Sequence, residues 1–228
     1  MPTHALPQAH LTSSILNGGS PASAGDADLA SLIELMGARM YFSRNAEIYG
    51  EGELADYLYK VVVGTVRTCK VLADGRRQIG GFHLPGDIFG LEMTEEHAYS
   101  AEAVTDATVL VVRKSAVLAL AKRDGDIARQ LWASTARELS LAQRRVLLLI
   151  KSAQERLAGF LLEMAEREPQ RGAVELTMTR QDIADYLGLT IETVSRTLTS
   201  FQDSEIIELA GSRRISLRDR TALQELWA

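Results

Sequence analysis

Residues 126–150, "DIARQLWASTARELSLAQRRVLLLI", limit the architecture more than any other stretch. They hold neither Gly nor Pro, and their periodicity predicts one long helix. Ala128, Trp132, Thr135, Leu139, Ala142, Val146 and Leu149 recur at alternating intervals of four and three. That is a heptad seam kept for about three heptads. It is satisfied by a parallel pair of such helices across a dimer axis, or by one helix packing inside its own domain. The first is the preferred reading, with Trp132, Thr135, Leu139, Ala142, Val146 and Leu149 at the interface. Thr135 and the Ala residues fill a seam poorly, so part of the stability of such a dimer comes from elsewhere.

The long helix separates two textures. Before it, over residues 40–115, the short alternating segments "YLYKVVV", "TVRTCKVL", "RQIGGFHL" and "ATVLVVRK" are broken by Gly and Asp-Gly. Period-two alternation predicts strands, and "ADGR" at 73–76 predicts a hairpin, because Asp-Gly tolerates a positive φ. Several short strands of this kind predict an antiparallel barrel or jelly roll. Residues 1–28 are rich in Pro, Gly and small side chains and predict a mobile tail that buries too little surface to fold. A short helix is expected at "LASLIELMG", and another at "SAVLALAKRDG", closed by Gly125. Beyond the long helix, "AQERLAGFLLEMAERE" predicts a helix over 153–168, stopped by Pro169 and Gly172; "AVELTM" predicts a strand; "IIELAGSRRISLRDR" predicts two strands around a Gly211-Ser212 turn.

Between those strands lies the most specific local pattern. Thr179-Arg180-Gln181-Asp182 fits a capping box with Asp in the place of Glu, opening a short helix "RQDIADYL". Gly188 supplies a left-handed residue at its end, and Thr190 caps a second helix. Ile183, Leu187, Leu189, Val194 and Leu198 form the core between the two, and Ala184 lets them cross closely. The layout is that of a helix-turn-helix; an ordinary helical hairpin is the plainer alternative. The second helix carries Glu192, Ser195 and Arg196 on its other face, at i, i+3 and i+4. In a helix-turn-helix that face enters the major groove, where Arg bonds guanine O6 and N7, Glu accepts from cytosine N4, and Ser serves several partners. The plainer alternative is a surface Glu192–Arg196 pair. Thr179, Arg180, Thr190, Thr193, Arg213 and Arg214 are candidate phosphate contacts, as are Arg218 and Arg220.

Composition narrows the remaining classes. A chain of 228 residues accommodates two modest domains. No apolar run nears the roughly 18 residues of a membrane span, and no Lys or Arg precedes Arg39 to open a signal peptide, so a cytoplasmic location and no membrane partner are expected. The net charge of −5 disfavours non-specific binding to a polyanion but leaves room for a local Arg cluster. The single cysteine, Cys69, allows neither an intrachain disulfide nor a multi-thiolate metal site, and is expected half-buried on a strand. His4, His10, His83 and His97 are scattered, and no nucleophile–base pair or phosphate loop is evident. An enzyme, a metal and a cofactor are therefore not expected.

"LTMTRQDIADYLGLTIETVSRTL" resembles the helix-turn-helix of the CRP/FNR superfamily of bacterial transcription regulators, most closely its FixK branch. The resemblance runs from about residue 40 to 220 and includes "QIGGFHLPGDIFGLE" and "ERLAGFLLEMAER". It implies an α+β fold: a flexible tail over 1–28, an antiparallel β-roll of the cyclic-nucleotide-binding jelly-roll type over 29–124, a dimerisation helix over 125–151, and a winged helix-turn-helix domain over 152–228. It further implies that Glu192, Ser195 and Arg196 read a TTGAT-N4-ATCAA-like palindrome, that Ile191 meets thymine methyls, and that exposed loops contact RNA polymerase. The hairpin Ala73, Asp74, Gly75 and Arg76 is a candidate for that contact. The resemblance implies a homodimeric activator.

Departures from the family pattern are informative. Where cyclic-nucleotide-binding relatives carry Gly-Glu-Leu and then Arg-Ser or Arg-Thr, this chain has Gly90-Leu91-Glu92 and Tyr99-Ser100, with no Arg from 78 to 112. A cyclic phosphate would lack its charge partner, so cAMP is not expected. One Cys cannot hold an iron–sulfur cluster. FixK-like regulators also lack the cluster, and they act in microaerobic or nitrogen-fixation control below an upstream oxygen sensor. The alternative expectation is a sensor gated by a small effector or by haem, with His83 as the candidate iron ligand.

Overall fold

The computed structural model describes residues 29–148, 150–167, 173–211 and 213–228. The tail over 1–28, Leu149, the Pro169 and Gly172 helix stop, and Ser212 lie outside the described residues. Eight short strands open the chain's β region: β1 Ala38–Phe42, β2 Glu47–Tyr49, β3 Tyr57–Val63, β4 Val66–Val71, β5 Arg77–His83, β6 Ile88–Phe89, β7 Ser100–Ala103 and β8 Ala107–Arg113. They pair antiparallel into two four-stranded sheets, ordered β1-β8-β3-β6 and β2-β7-β4-β5. Alternate side chains of the two sheets face each other, so that Tyr59, Val61, Val66, Phe89, Ala101, Ala103 and Val109 form a core between them. The outer face of the first sheet is covered as well. There Leu58, Leu110 and Val112 pack against α1 Leu29–Met36, α2 Lys114–Ala121 and Ile127. Burial on both faces explains why β3 and β8 read as nearly continuous apolar runs.

The long helix α3 spans Gly125–Leu148. Gly125 opens this helix and does not close α2. Lys122 is the C-cap of α2, and the Asp124 carboxylate accepts from the N–H groups of Asp126 at 2.9 Å and Ile127 at 3.4 Å. An Asp beside Gly is the stronger N-cap signal, and Gly125 does not adopt a positive φ. In the "ADGR" hairpin only Gly75 takes a positive φ, at 82°.

After α3 come α4 Ala153–Arg167, β9 Val174–Glu175, α5 Arg180–Leu187, α6 Ile191–Asp203, β10 Ile207–Ala210, β11 Arg214–Leu217 and α7 Arg220–Trp227. The three strands order as β10-β11-β9. The "AVELTM" strand is only two residues long. Helix α7 has no counterpart in the expectations above; Asp219 caps it by accepting from Ala222 N–H at 2.9 Å. Its Leu223 is fully buried, and Trp227 lies over Gly159 so tightly that a Cβ there would stand 2.4 Å from the indole.

The two domains share buried surface. Cys69, Ile79 and Phe82, on the outer face of the second sheet, join the core that Leu157, Phe160, Ile183 and Tyr186 build beneath the helix pair. Phe82 lies 5.3 Å from Tyr186, centroid to centroid. Cys69 is consequently buried, not half-buried as its strand position suggested, because the far face of its sheet is covered by the C-terminal domain. Burial, and secondarily Glu102, pushes its thiol up to about 11, which keeps it un-ionised.

Candidate nucleic-acid interface

Helices α5 and α6 are built by the local chemistry that the sequence predicts. Thr179 Oγ1 accepts from Asp182 N–H at 3.1 Å, and Asp182 Oδ2 accepts from Thr179 N–H at 3.0 Å and Oγ1 at 2.8 Å, a complete capping box. Gly188 ends α5 in the left-handed region, at φ 63°. Arg156 of α4 pins this turn by donating to the Leu187 carbonyl at 2.9 Å. Thr190 caps α6, accepting from Thr193 N–H at 3.2 Å. Val194, Leu198 and Phe201 bury the inner face, and Ala184 is fully buried at the crossing.

The opposite face of α6 is turned outward. Glu192 and Arg196 are exposed, Ser195 partly so, and Ile191 is 38% exposed beside them. The Glu192 carboxyl is held below its ordinary value by its own backbone N–H and the Thr190 hydroxyl, and further by Arg196. It is therefore an ionised acceptor seated at a helix N-terminus, where negative charge is favoured. Arg196 makes no salt bridge within 4 Å among the described residues. The structure thus brings Ile191, Glu192, Ser195 and Arg196 together on one unoccupied face.

The phosphate candidates fall into three places. Thr190 and Thr193 sit together at the start of α6, their hydroxyls 3.1 Å apart. Arg213 and Arg214 are exposed at the β10–β11 turn, and Arg180 opens α5; none of the three has an ion pair among the described residues. The Thr179 hydroxyl is already committed to the cap, as donor and as acceptor. Arg218 pairs with Glu208, and Arg220 lies 3.9 Å from Glu166.

Helix α3 carries two further features. Ile127, Leu131 and Leu148 pack into the chain's own cores, while the heptad stripe stays outside them. Trp132 is 77% exposed, Leu139 60% and Val146 64%, and Thr135 and Ala142 are exposed too. The chain's own domains therefore do not use that stripe. A cavity of about 450 Å³ lies between the β-roll and α3, lined among others by Thr68, Gly81, His83, Tyr99 and Arg145, with Thr135, Leu139 and Ala142 of the stripe at its border.

The cavity corrects one inference from sequence. The absence of Arg from 78 to 112 left it expected without a cation, yet Arg145 enters from α3, its Nη2 3.1 Å from where a Gly81 Cβ would stand. The Arg145 Nε is buried without a hydrogen-bond partner. A cation contributed by a helix 33 residues past that window (145 − 112) could not be located from the strand segment alone. His83 stacks on Phe89 with centroids 4.8 Å apart, and its Nε2 is 3.5 Å from Thr68 Oγ1. Burial, with Arg167 and Arg145 nearby, pushes it down to about 3, so the ring is neutral. Among the described residues no three His, Cys, Asp or Glu side chains converge to hold a metal, and no helix is long and apolar enough to cross a membrane.

Residues 155–226 match the Crp-like helix-turn-helix domain, and residues 39–124 match the cyclic nucleotide-binding domain. The nitrogen fixation regulation protein FixK of Azorhizobium caulinodans is 48% identical over 203 residues, 86% of this chain and 82% of that protein. FixK of Rhizobium meliloti is 40% identical over 181 residues, 79% of this chain and 82% of that protein. Among solved structures, FixK2 from Bradyrhizobium japonicum superimposes with a TM-score of 0.82 at 49% identity, covering 85% of this chain and 98% of that one.

Proposed function

This chain is a DNA-binding transcription regulator of the CRP/FNR family, of the FixK type, and we propose that it acts as a homodimer, each subunit reading half of a palindromic duplex site. The observation that carries this reading is the outward face of α6, where Glu192 and Arg196 stand exposed with Ser195 partly so between them, and Arg196 has no salt bridge among the described residues. In the major groove Arg196 takes guanine O6 and N7, Glu192 accepts from cytosine N4, Ser195 serves the adjoining pair, and Ile191 meets thymine methyls. Thr190, Thr193, Arg180, Arg213 and Arg214 hold the phosphates on either side, with Thr179 acting through its cap. The exposed heptad stripe of α3, Trp132 to Val146, pairs with its copy and sets the two α6 helices about one helical turn of DNA, roughly 34 Å, apart.

The site of this reading is of the TTGAT-N4-ATCAA type, and the genes under it belong to microaerobic or nitrogen-fixation control, with the protein as activator. RNA polymerase meets the exposed hairpin Ala73–Arg76, whose tip is stiffened by an Asp74–Arg76 pair. The test is a gel-shift titration of protein purified without added effector, on that palindrome and on single-base variants. Binding that is tight and base-selective is expected. Binding indifferent to the palindrome sinks the reading.

Effector gating is the second reading, and the cavity with its unpartnered Arg145 Nε is what favours it. Weak effector-free binding in the same titration would move the weight there, and an absorbance scan of the sample would expose haem.

A further inference from the structure

The junction between the β-roll and the helix-turn-helix is held by a cluster of five charged side chains. Arg67 on β4 donates through Nη1 to Asp182 Oδ1 at 3.0 Å, while its Nε and Nη2 bind Glu102 Oε2 at 2.9 and 2.6 Å. Arg77, the first residue of β5, donates to the same Asp182 Oδ1 at 2.6 Å and to Asp185 Oδ2 at 2.8 Å. With Thr179 on its other oxygen, the Asp182 carboxylate receives four donors. Its side chain is 3% exposed, and that of Arg67 9%. One carboxylate therefore both starts the first helix of the pair and binds two guanidiniums from the other domain.

Apolar contacts also join the domains here. Phe82 and Ile79 already pack into the C-terminal core. What apolar contact does not supply is an angle, whereas a carboxylate with every lone pair occupied fixes direction. Buried ion pairs add little net stability compared with apolar replacements, and a role in specificity is their better-supported use. The same seam is also crossed by a neutral bond, Thr177 Oγ1 to Thr65 Oγ1 at 2.9 Å, and by Arg167, which donates through Nη1 to the Phe82 carbonyl at 2.9 Å and pairs with Asp87. On the far side the sheet is tied to α3 by Arg145, which lies against Gly81 and over the Tyr186 ring at 5.6 Å. The chain of contacts runs from α3 through β4 and β5 to α5 and thence to α6.

We propose that Arg67 and Arg77 are positioning residues for DNA reading, which through Asp182 and Asp185 set the angle of the helix-turn-helix against α3 and so the half-site spacing that the dimer accepts. The inference rests on the homodimeric palindrome reading above. Losing the clasp leaves α6 able to read each half-site but lets the two copies adjust to altered spacing.

The test measures binding by fluorescence anisotropy on TTGAT-ATCAA palindromes with spacers of three, four and five base pairs, and on four-base-pair palindromes with a changed half-site base. Sedimentation and thermal unfolding confirm a folded dimer in each case. Arg77→Met is expected to lose about 5- to 20-fold of the wild-type preference for one spacer, a span typical of coupling between sites, while its preference among bases stays at the wild-type ratio. Arg77→Lys is expected to keep most of the spacer preference. Asp185→Asn carries the same expectation at smaller size and decides the matter should Arg77→Met not fold. A purely structural role would lower affinity on every duplex alike. Variants that fold and retain the wild-type spacer ratio, or that lose spacer and base preference together, overturn the inference while the homodimeric reading stands. Wild-type protein indifferent to spacer would bring down both.

Discussion

Two sets of charged side chains sit on the same helix pair under opposite conditions. On α5, Asp182 is buried and surrounded by four donors from Thr179, Arg67 and Arg77. On α6, Glu192 and Arg196 are exposed, and Arg196 has no salt bridge among the described residues. Both sets combine carboxylate and guanidinium, so residue type alone does not separate structure from recognition. Saturation does. A charged group whose donors and acceptors are all used inside the chain has nothing left to offer a partner, and its removal leaves the others buried and unpaired. A charged group left open to solvent costs the fold little to keep and stays available to DNA.

Three measurements break or sharpen that contrast. The largest effect is expected at Asp182. Asp182→Ala strips Arg67 and Arg77 of a shared partner and removes half of the capping box, and should cost about 3–5 kcal/mol in denaturant unfolding. A cost below 1 kcal/mol would show that the cluster is not saturated in solution. The matching change on the open face, Arg196→Ala, should leave unfolding within about 0.5 kcal/mol of wild type. Its effect should fall on DNA, as a loss of about 1–3 kcal/mol with relaxed discrimination at one base pair. Equal weakening on all sequences would make Arg196 a phosphate contact.

The smallest effect concerns the interior again. His83 is held neutral by burial, its value pushed from 6.5 to about 3. The unfolded chain takes up this proton first as pH falls, so the stability that goes with the neutral ring is complete above 6.5 and is lost progressively below it. Wild type should therefore lose about 1 kcal/mol per pH unit from this one group between pH 6.5 and 5. Unfolding of His83→Gln between pH 6.5 and 5 should show a slope shallower by that amount. An unchanged slope would mean that His83 is solvated.

Legibility followed the range of the interactions. The helix-turn-helix was readable because its signals are local: Thr179 and Asp182 lie three residues apart, and Gly188 and Thr190 punctuate the turn. Four strands, β3, β4, β5 and β8, were equally plain. Strands β1, β2, β6 and β7 have two to five residues each, too few for a period to register. Helix α7 carries a usable signal in its Asp219 cap and the spacing of Leu223, Leu226 and Trp227, and Asp124 marks the start of α3 more strongly than Gly125 marks the end of α2. The outward stripe of α3 could be listed from its heptads, but its exposure could not. The partners of Asp182 lie 115 and 105 residues away, and Arg145 reaches the cavity from another element; only the closed fold brings these groups together.

The same separation has a consequence for synthesis. Arg67 and Glu102 have both emerged from the ribosome by 80 residues (182 − 102) before Asp182, an interval of roughly 4 to 16 seconds at ordinary translation rates. Throughout it Glu102 alone serves as counter-ion to a guanidinium already committed to a sheet. The nascent roll is thus able to close with its charge neutralised, but it presents Cys69, Ile79 and Phe82 bare until the second half of the chain arrives to cover them. Truncated products ending within that window should be the adhesive ones.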